Sequence, residues 1–158
     1  MGSGPNEKSR WLRHRPVLAV LLLIGVLVVG NFVKDAVKRY THLAVDAKRG
    51  EGLWRLQEIH DAELKHFKQH GVFVAAGPTP AQVPGKRQSE FTSEHMDAWQ
   101  QLGWQPESMV RCQYEVTVPT PTSFQAVARC DADGDGELSV FESSPEEAPK
   151  RVSPDNHH

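Results

Sequence analysis

The sequence predicts an α+β protein: a long N-terminal helix, first apolar and then amphipathic, packed on a small antiparallel sheet. Three observations carry this. Residues 16–33 are almost wholly apolar, and no proline interrupts the chain between Phe32 and Gly71. Two runs of alternating polarity, Arg111–Val118 and Ser123–Cys130, flank a short Pro/Thr turn. Prolines and glycines are dense from Gly77 to Lys86, which sets the helical part apart from the strands. The expected divisions are a basic N-terminus (1–15), an apolar helix (16–37), its amphipathic continuation (38–71), a small α+β domain (72–145) and a flexible tail (146–158).

The 158 residues carry a formal net charge of −2, so no global positive excess points to nucleic acid as a partner. The charge is unevenly spread. Lys8, Arg10, Arg13 and Arg15 stand against Glu7 at the head, and eight Asp/Glu stand against Lys150 and Arg151 from residue 131 onward. The stretch Pro16–Val33 has one polar residue, Asn31, in eighteen. As a helix rising ~1.5 Å per residue it covers ~27 Å, close to the hydrocarbon core of a bilayer. The expectation is a retained single-pass anchor; a cleaved signal peptide is the alternative. No Cys follows the run at a lipidation distance.

Lysines and arginines lie on both sides of this stretch, with Lys34, Lys38, Arg39, Lys48 and Arg49 after it, so their count does not orient it. The cysteines do: a disulfide would hold the C-terminal part outside the cytosol and leave the N-terminus inside. The expected arrangement is a cytoplasmic N-terminus and a C-terminal domain outside the cytosol.

Beyond the apolar stretch, Leu53, Leu56, Ile59 or His60, Glu63 and Phe67 recur at steps of three and four, one stripe of an amphipathic helix. Gly71 supplies the stop, and Gly50 and Gly52 are weak points where the helix could bend. His66 and His70 lie one turn apart with Glu63 a turn back. That spacing suits zinc, but no further ligand is evident and the reading is a polar helix rim. After the loop Gly77–Lys86, the run from Phe91 to Pro106 predicts a short helix. Thr92 or Ser93 caps it, Gly103 ends it, and Trp99, Leu102 and Trp104 enter the core.

With Cys112 placed opposite Cys130 in a hairpin, Tyr114 faces Ala128, Val116 faces Ala126 and Val118 faces Phe124. One face is then apolar, while Gln113, Glu115, Thr117, Gln125 and Arg129 take the other. Val127 alone is out of place. The register predicts a Cys112–Cys130 disulfide, with two buried free thiols as the alternative.

From Asp131 the chain has the spacing of a calcium-binding EF-hand loop. Asp131, Asp133, Asp135, Gly136, Glu137, Ser139 and Glu142 hold positions 1, 3, 5, 6, 7, 9 and 12. Carboxylates at 131, 133, 135 and 142, the Glu137 carbonyl and a water on Ser139 supply the six to eight oxygens that Ca2+ takes. The flanks are not those of an EF-hand. A strand precedes the loop, Pro145 and Pro149 preclude an exit helix, and no second loop pairs with it. A structural Ca2+ site is expected, with a metal-free acidic turn as the alternative.

The order of parts resembles type IV pilins and pilin-like proteins: basic N-terminus, apolar span, amphipathic helix, then a small domain ending in an antiparallel sheet. Leu56, Ile59, Ala62, Glu63, Phe67, Gly71 and Phe73 follow the pilin helix-end pattern. The segments "WQQLGWQP", "RCQYEV", "SFQAVA" and "DADGDG" are similar to the domain of pilins that end in an Asp-rich loop. The resemblance covers roughly residues 30–142. The chain departs from it before the span, where "RHRPVLAVLLL" has neither the Gly-to-Phe/Met processing site nor the glutamate five residues into the mature helix.

The resemblance implies a non-enzymatic, pilin-like structural or assembly protein kept in the inner (cytoplasmic) membrane, its C-terminal domain in the periplasm or outside, with other pilin-like subunits or assembly proteins as partners through the long helix. The alternative is a membrane-tethered calcium-binding module that recognises a protein partner. An enzyme finds no support in the sequence, which has no nucleophile motif, phosphate loop or paired catalytic His and Cys.

Overall fold

In the computed structural model the elements follow one another as α1 (Glu7–His70), β1 (Ala76–Thr79), α2 (Met96–Leu102), β2 (Cys112–Thr120), β3 (Ser123–Cys130), β4 (Ser139–Ser144) and β5 (Glu147–Arg151). The described residues are 7–106 and 109–154, without the side chains of 7–19, Leu22 and 41–49. The protein is α+β, with a five-stranded antiparallel sheet. It divides into two units, residues 1–43 and 44–158.

The first unit contains the start of α1. Its described apolar side chains, Val20 to Val37, are exposed all round the helix, from Ile24 at 51% to Phe32 at 76%. Among the described residues no helix is long and apolar enough to cross a membrane. The expected span, 16–37, lies partly outside them, since the side chains of 16–19 and Leu22 are not included; residues 1–6 of the basic head also lie outside.

In the second unit the end of α1 lies on the sheet through the predicted stripe. Leu56, Ile59 and Glu63 are fully buried and His60 nearly so, Phe67 is partly buried, and Leu53 stays exposed. Burying a Leu or Ile contributes ~1.5–3 kcal/mol. Helical structure continues through Gly50 and Gly52. Gly52 is a point of close approach rather than a bend: a Cβ there would stand 2.6 Å from Cys130 Sγ and 3.0 Å from the Phe141 ring. The helix stops after His70, where Gly71 takes φ +74° and donates its N–H to Phe67 O at 2.8 Å.

The sheet is a meander in the order β1-β2-β3-β4-β5. Cys112 pairs with Cys130, Tyr114 with Ala128 and Val116 with Ala126, as the alternation predicts, and Cys112 and Cys130 form a disulfide. Closing a loop of this size contributes ~3 kcal/mol by constraining the unfolded chain. The expected Val118–Phe124 pair is replaced by a register shift between Thr117 and Thr120. The turn is also tighter than the four residues "PTPT" suggest, because Pro119 and Thr120 remain in β2.

Two other expectations are corrected. The start of the Gly77–Lys86 loop is strand: β1 pairs Ala76 with Val116 and Thr79 with Tyr114. Within the expected flexible tail, 146–158, residues 147–151 form β5, which pairs with β4 from Phe141↔Arg151 to Ser144↔Glu147, and 155–158 lie outside the described residues. In both places proline density hid an edge strand, where a missing N–H is tolerated on the side without a partner.

The core face carries Tyr114, Val116, Phe124, Ala126, Ala128, Phe141 and the disulfide, all buried. On the other face Arg129 Nη1 donates to Glu115 Oε2 at 2.7 Å. Gln113 and Val127 are buried there too, and Gln113 Nε2 donates to the carbonyls of Pro80 and Ala81 at 3.0 and 3.1 Å. The loop after β1 is therefore fastened to that face of the sheet.

Helix α2 runs Met96–Leu102 and ends at Gly103 with φ +74°, as predicted. Its N-cap residue is His95, without a side-chain cap, while Ser93 Oγ accepts the His95 N–H at 3.1 Å. Trp99, Leu102 and Trp104 are buried. The two indoles meet Phe91 edge-on, and Trp104 does the same with Tyr114. Each indole N–H is satisfied, Trp99 by Thr79 Oγ1 at 2.8 Å and Trp104 by Glu58 Oε2 at 3.1 Å.

Candidate functional site

The acidic segment spans the interval between β3 and β4, closed at its mouth by the pair Cys130↔Ser139. Strand pairing ends there because Asp131–Glu137 offers four acidic side chains and two glycines to a ladder that needs neither. The turn depends on Gly134 (φ +76°) and Gly136 (φ +87°), a left-handed conformation that costs other residues energy.

Asp131, Asp133 and Asp135 bring one carboxylate oxygen each within 4.8 Å of the others. At such spacing each pair of charges repels by ~0.8 kcal/mol in water-like surroundings. Backbone amides take up part of that charge. Asp131 accepts N–H from Gly134 at 2.7 Å and from Gly136 at 3.2 Å, and Asp135 accepts from Glu137 at 2.8 Å. Each Asp131 oxygen accepts one of these bonds and keeps a second lone pair that a hard cation could use.

The other expected ligands are distributed differently. Glu137 follows the cluster directly, and its main-chain carbonyl stays a candidate by position. Ser139 is buried in β4, with Arg151 Nη2 donating to its Oγ at 3.4 Å. Glu142 is not gathered with the aspartates: it stands in β4 between Val127 and Lys150. It stands three residue steps along β4 from Ser139 at the mouth, about 10 Å of strand. Alternation also puts its side chain on the face of Arg129 and Glu115, away from the core. A strand directly after the loop carries position 12 away; in an EF-hand a helix would turn it back. The donors present fit Ca2+ with three carboxylates rather than four.

The approach of a second loop was not evident from the sequence. A Cβ on Gly134 would meet Lys86 Cβ at 3.2 Å and its backbone N at 3.4 Å, so the segment ending at Lys86 lies directly against the acidic turn. Gly85 and Gly134, residues without side chains where two chain segments cross, are the only sequence trace of it.

A second ionisable feature lies in the core. Glu63 Oε2 accepts the Val74 N–H at 3.1 Å, while Oε1 has no hydrogen-bond partner. Burial raises its pKa to about 7, against a lowering by the Val74 bond. Glu63 thus ties the end of α1 to the chain entering β1.

Comparison of the chain with protein-family models, with curated proteins and with solved structures gives no match.

Proposed function

We propose that the chain is a membrane-anchored, non-enzymatic structural or assembly protein of the pilin-like type. Its globular unit lies on the non-cytosolic side and contains a structural Ca2+ loop. The observation that carries the reading is the contrast along α1. From Val20 to Val33 its described side chains are apolar apart from Asn31 and exposed on every side. Its residues from Gly52 to Phe67 bury a narrow stripe on the sheet. An all-round apolar stretch needs an apolar medium, whereas a stripe needs only one covering surface. The disulfide favours an oxidising compartment for the second unit. Packing of a long helix on the sheet in the pilin manner belongs to this proposal.

When bound, Ca2+ would offset two of the three negative charges of Asp131, Asp133 and Asp135 and so brace the turn between β3 and β4. The role of the protein's own residues is to hold the Asp131 and Asp135 carboxylates in place through the Gly134, Gly136 and Glu137 amides. Subunits or assembly proteins engage the exposed side of the long helix.

Protease treatment of intact spheroplasts tests anchor, direction and compartment together. The expected outcome is a protein that sediments with membranes and loses its C-terminal unit to external protease. A protected C-terminal unit, or a protein released by salt alone, overturns the reading. Recovery from membranes but never from sheared filaments, together with calcium-dependent capture of a partner, supports the tethered recognition module instead.

A further inference from the structure

A pocket of about 210 Å3 opens where α1 and α2 both end, lined by Lys65, His66, Gln69 and His70 from α1 and by Gln101 and Gly103 at the end of α2. The four-residue spacing puts His66 and His70 on one face of α1, and their ring centroids are 4.4 Å apart. His66 Nδ1 lies 2.9 Å from the Val72 carbonyl. A carbonyl only accepts, so Nδ1 carries the hydrogen, and in the neutral ring Nε2 keeps its lone pair. A backbone acceptor that fixes the tautomer of a nearly buried imidazole in this way is the usual support of a metal-ligating histidine.

The surroundings favour a cation. Both helices present C-terminal ends here, and the partial negative charge of a helix C-terminus attracts positive charge. Lys65, the one fixed positive charge on the wall, is itself exposed and can extend its ammonium into water. Glu63 is not available, because it points into the core and is held by Val74. Both cysteines are in the disulfide.

We propose that His66 and His70 form a binding site for a divalent transition-metal ion, of the Zn2+ class, distinct from the acidic loop. Two imidazoles on one tetrahedral ion, with metal–nitrogen bonds of ~2.1 Å, bring their ring centres to roughly 5 Å. The 4.4 Å separation is a small rotation of the exposed His70 away from that. Water completes the shell. Imidazole nitrogen selects this class over Ca2+, which takes oxygen ligands.

The test uses the full chain in detergent, freed of metal with EDTA and carrying His157→Ala and His158→Ala so that the chain end contributes no imidazole. Melting is followed with Zn2+ and with Ca2+. The expected result is a rise of several degrees with Zn2+ that His70→Ala abolishes and Asp131→Asn with Asp133→Asn leaves intact. His70 is exposed, so the His70→Ala protein should melt normally without metal. Co2+ bound to the same protein should show a visible ligand-field band, without thiolate charge transfer, that disappears in His70→Ala. No rise with Zn2+, or a rise and a Co2+ band that persist in His70→Ala, overturns the proposal.

Discussion

Gly52 shows how one missing side chain sets a packing distance. The end of α1 rests on the disulfide and Phe141, and a methyl group at 52 would collide with Cys130 Sγ. Alanine is the better helix former by ~1 kcal/mol, but overpacking a filled contact costs ~1–3 kcal/mol. Gly52→Ala should therefore lower the melting temperature, whereas Gly50→Ala, where nothing lies within 4 Å of the added carbon, should raise it. Chemical denaturation of the two variants side by side measures the difference; two stabilised proteins would contradict the close approach. Glu63 gives a second prediction at this scale. Its pKa is raised by burial from 4.5 to about 7, so the folded state binds more protons than the unfolded state across that interval. Stability from this group is fully present below about pH 4.5 and is lost as pH rises through 7, at ~1.4 kcal/mol for each pH unit crossed. Glu63→Gln should flatten the pH dependence of melting over that window, and a wild-type curve already flat there would refute the assignment.

At the scale of elements, the Asp-rich turn is a connection between two strands of a meander. Its support comes from the sheet: β3 and β4 fix its ends at Cys130 and Ser139, and the segment ending at Lys86 lies against Gly134. With three carboxylates gathered and Glu142 in β4, binding should fall in the weak range of extracellular calcium modules, Kd ~10−4–10−3 M. Millimolar Ca2+ should raise the melting temperature by a few degrees, EDTA should reverse the rise, and Asp131→Asn with Asp133→Asn should remove it. If Glu142→Gln removes the rise as fully as the aspartate changes do, the three-carboxylate set is wrong. The turn and α2 also show why capping rules mislead locally. Ser93, expected to cap α2, caps nothing in it; it accepts the His95 N–H and meets Thr79 Oγ1 at 2.7 Å.

For the molecule as a whole, what was legible in the sequence followed from period and burial. The stripe Leu56, Ile59 and Glu63, the pairing of Cys112 with Cys130, and the indoles of Trp99 and Trp104 are each repeated by several residues in step. What was not legible depends on one residue or on distant ones. β1 and β5 are edge strands whose prolines read as loop, and Glu142 leaves its motif because a strand, not a helix, follows. Those edges bear on how copies of the protein could associate. β1 has four residues, Gly77 and Pro78 among them, and β5 carries Pro149 beside Lys150 and Arg151. A short border, proline without an N–H and clustered positive charge are what deter one sheet from extending into the next. Strand addition at either border, the commonest uninvited route to aggregation for a small sheet, is blunted from both sides. Copies that assemble would have to meet through surfaces other than the sheet borders.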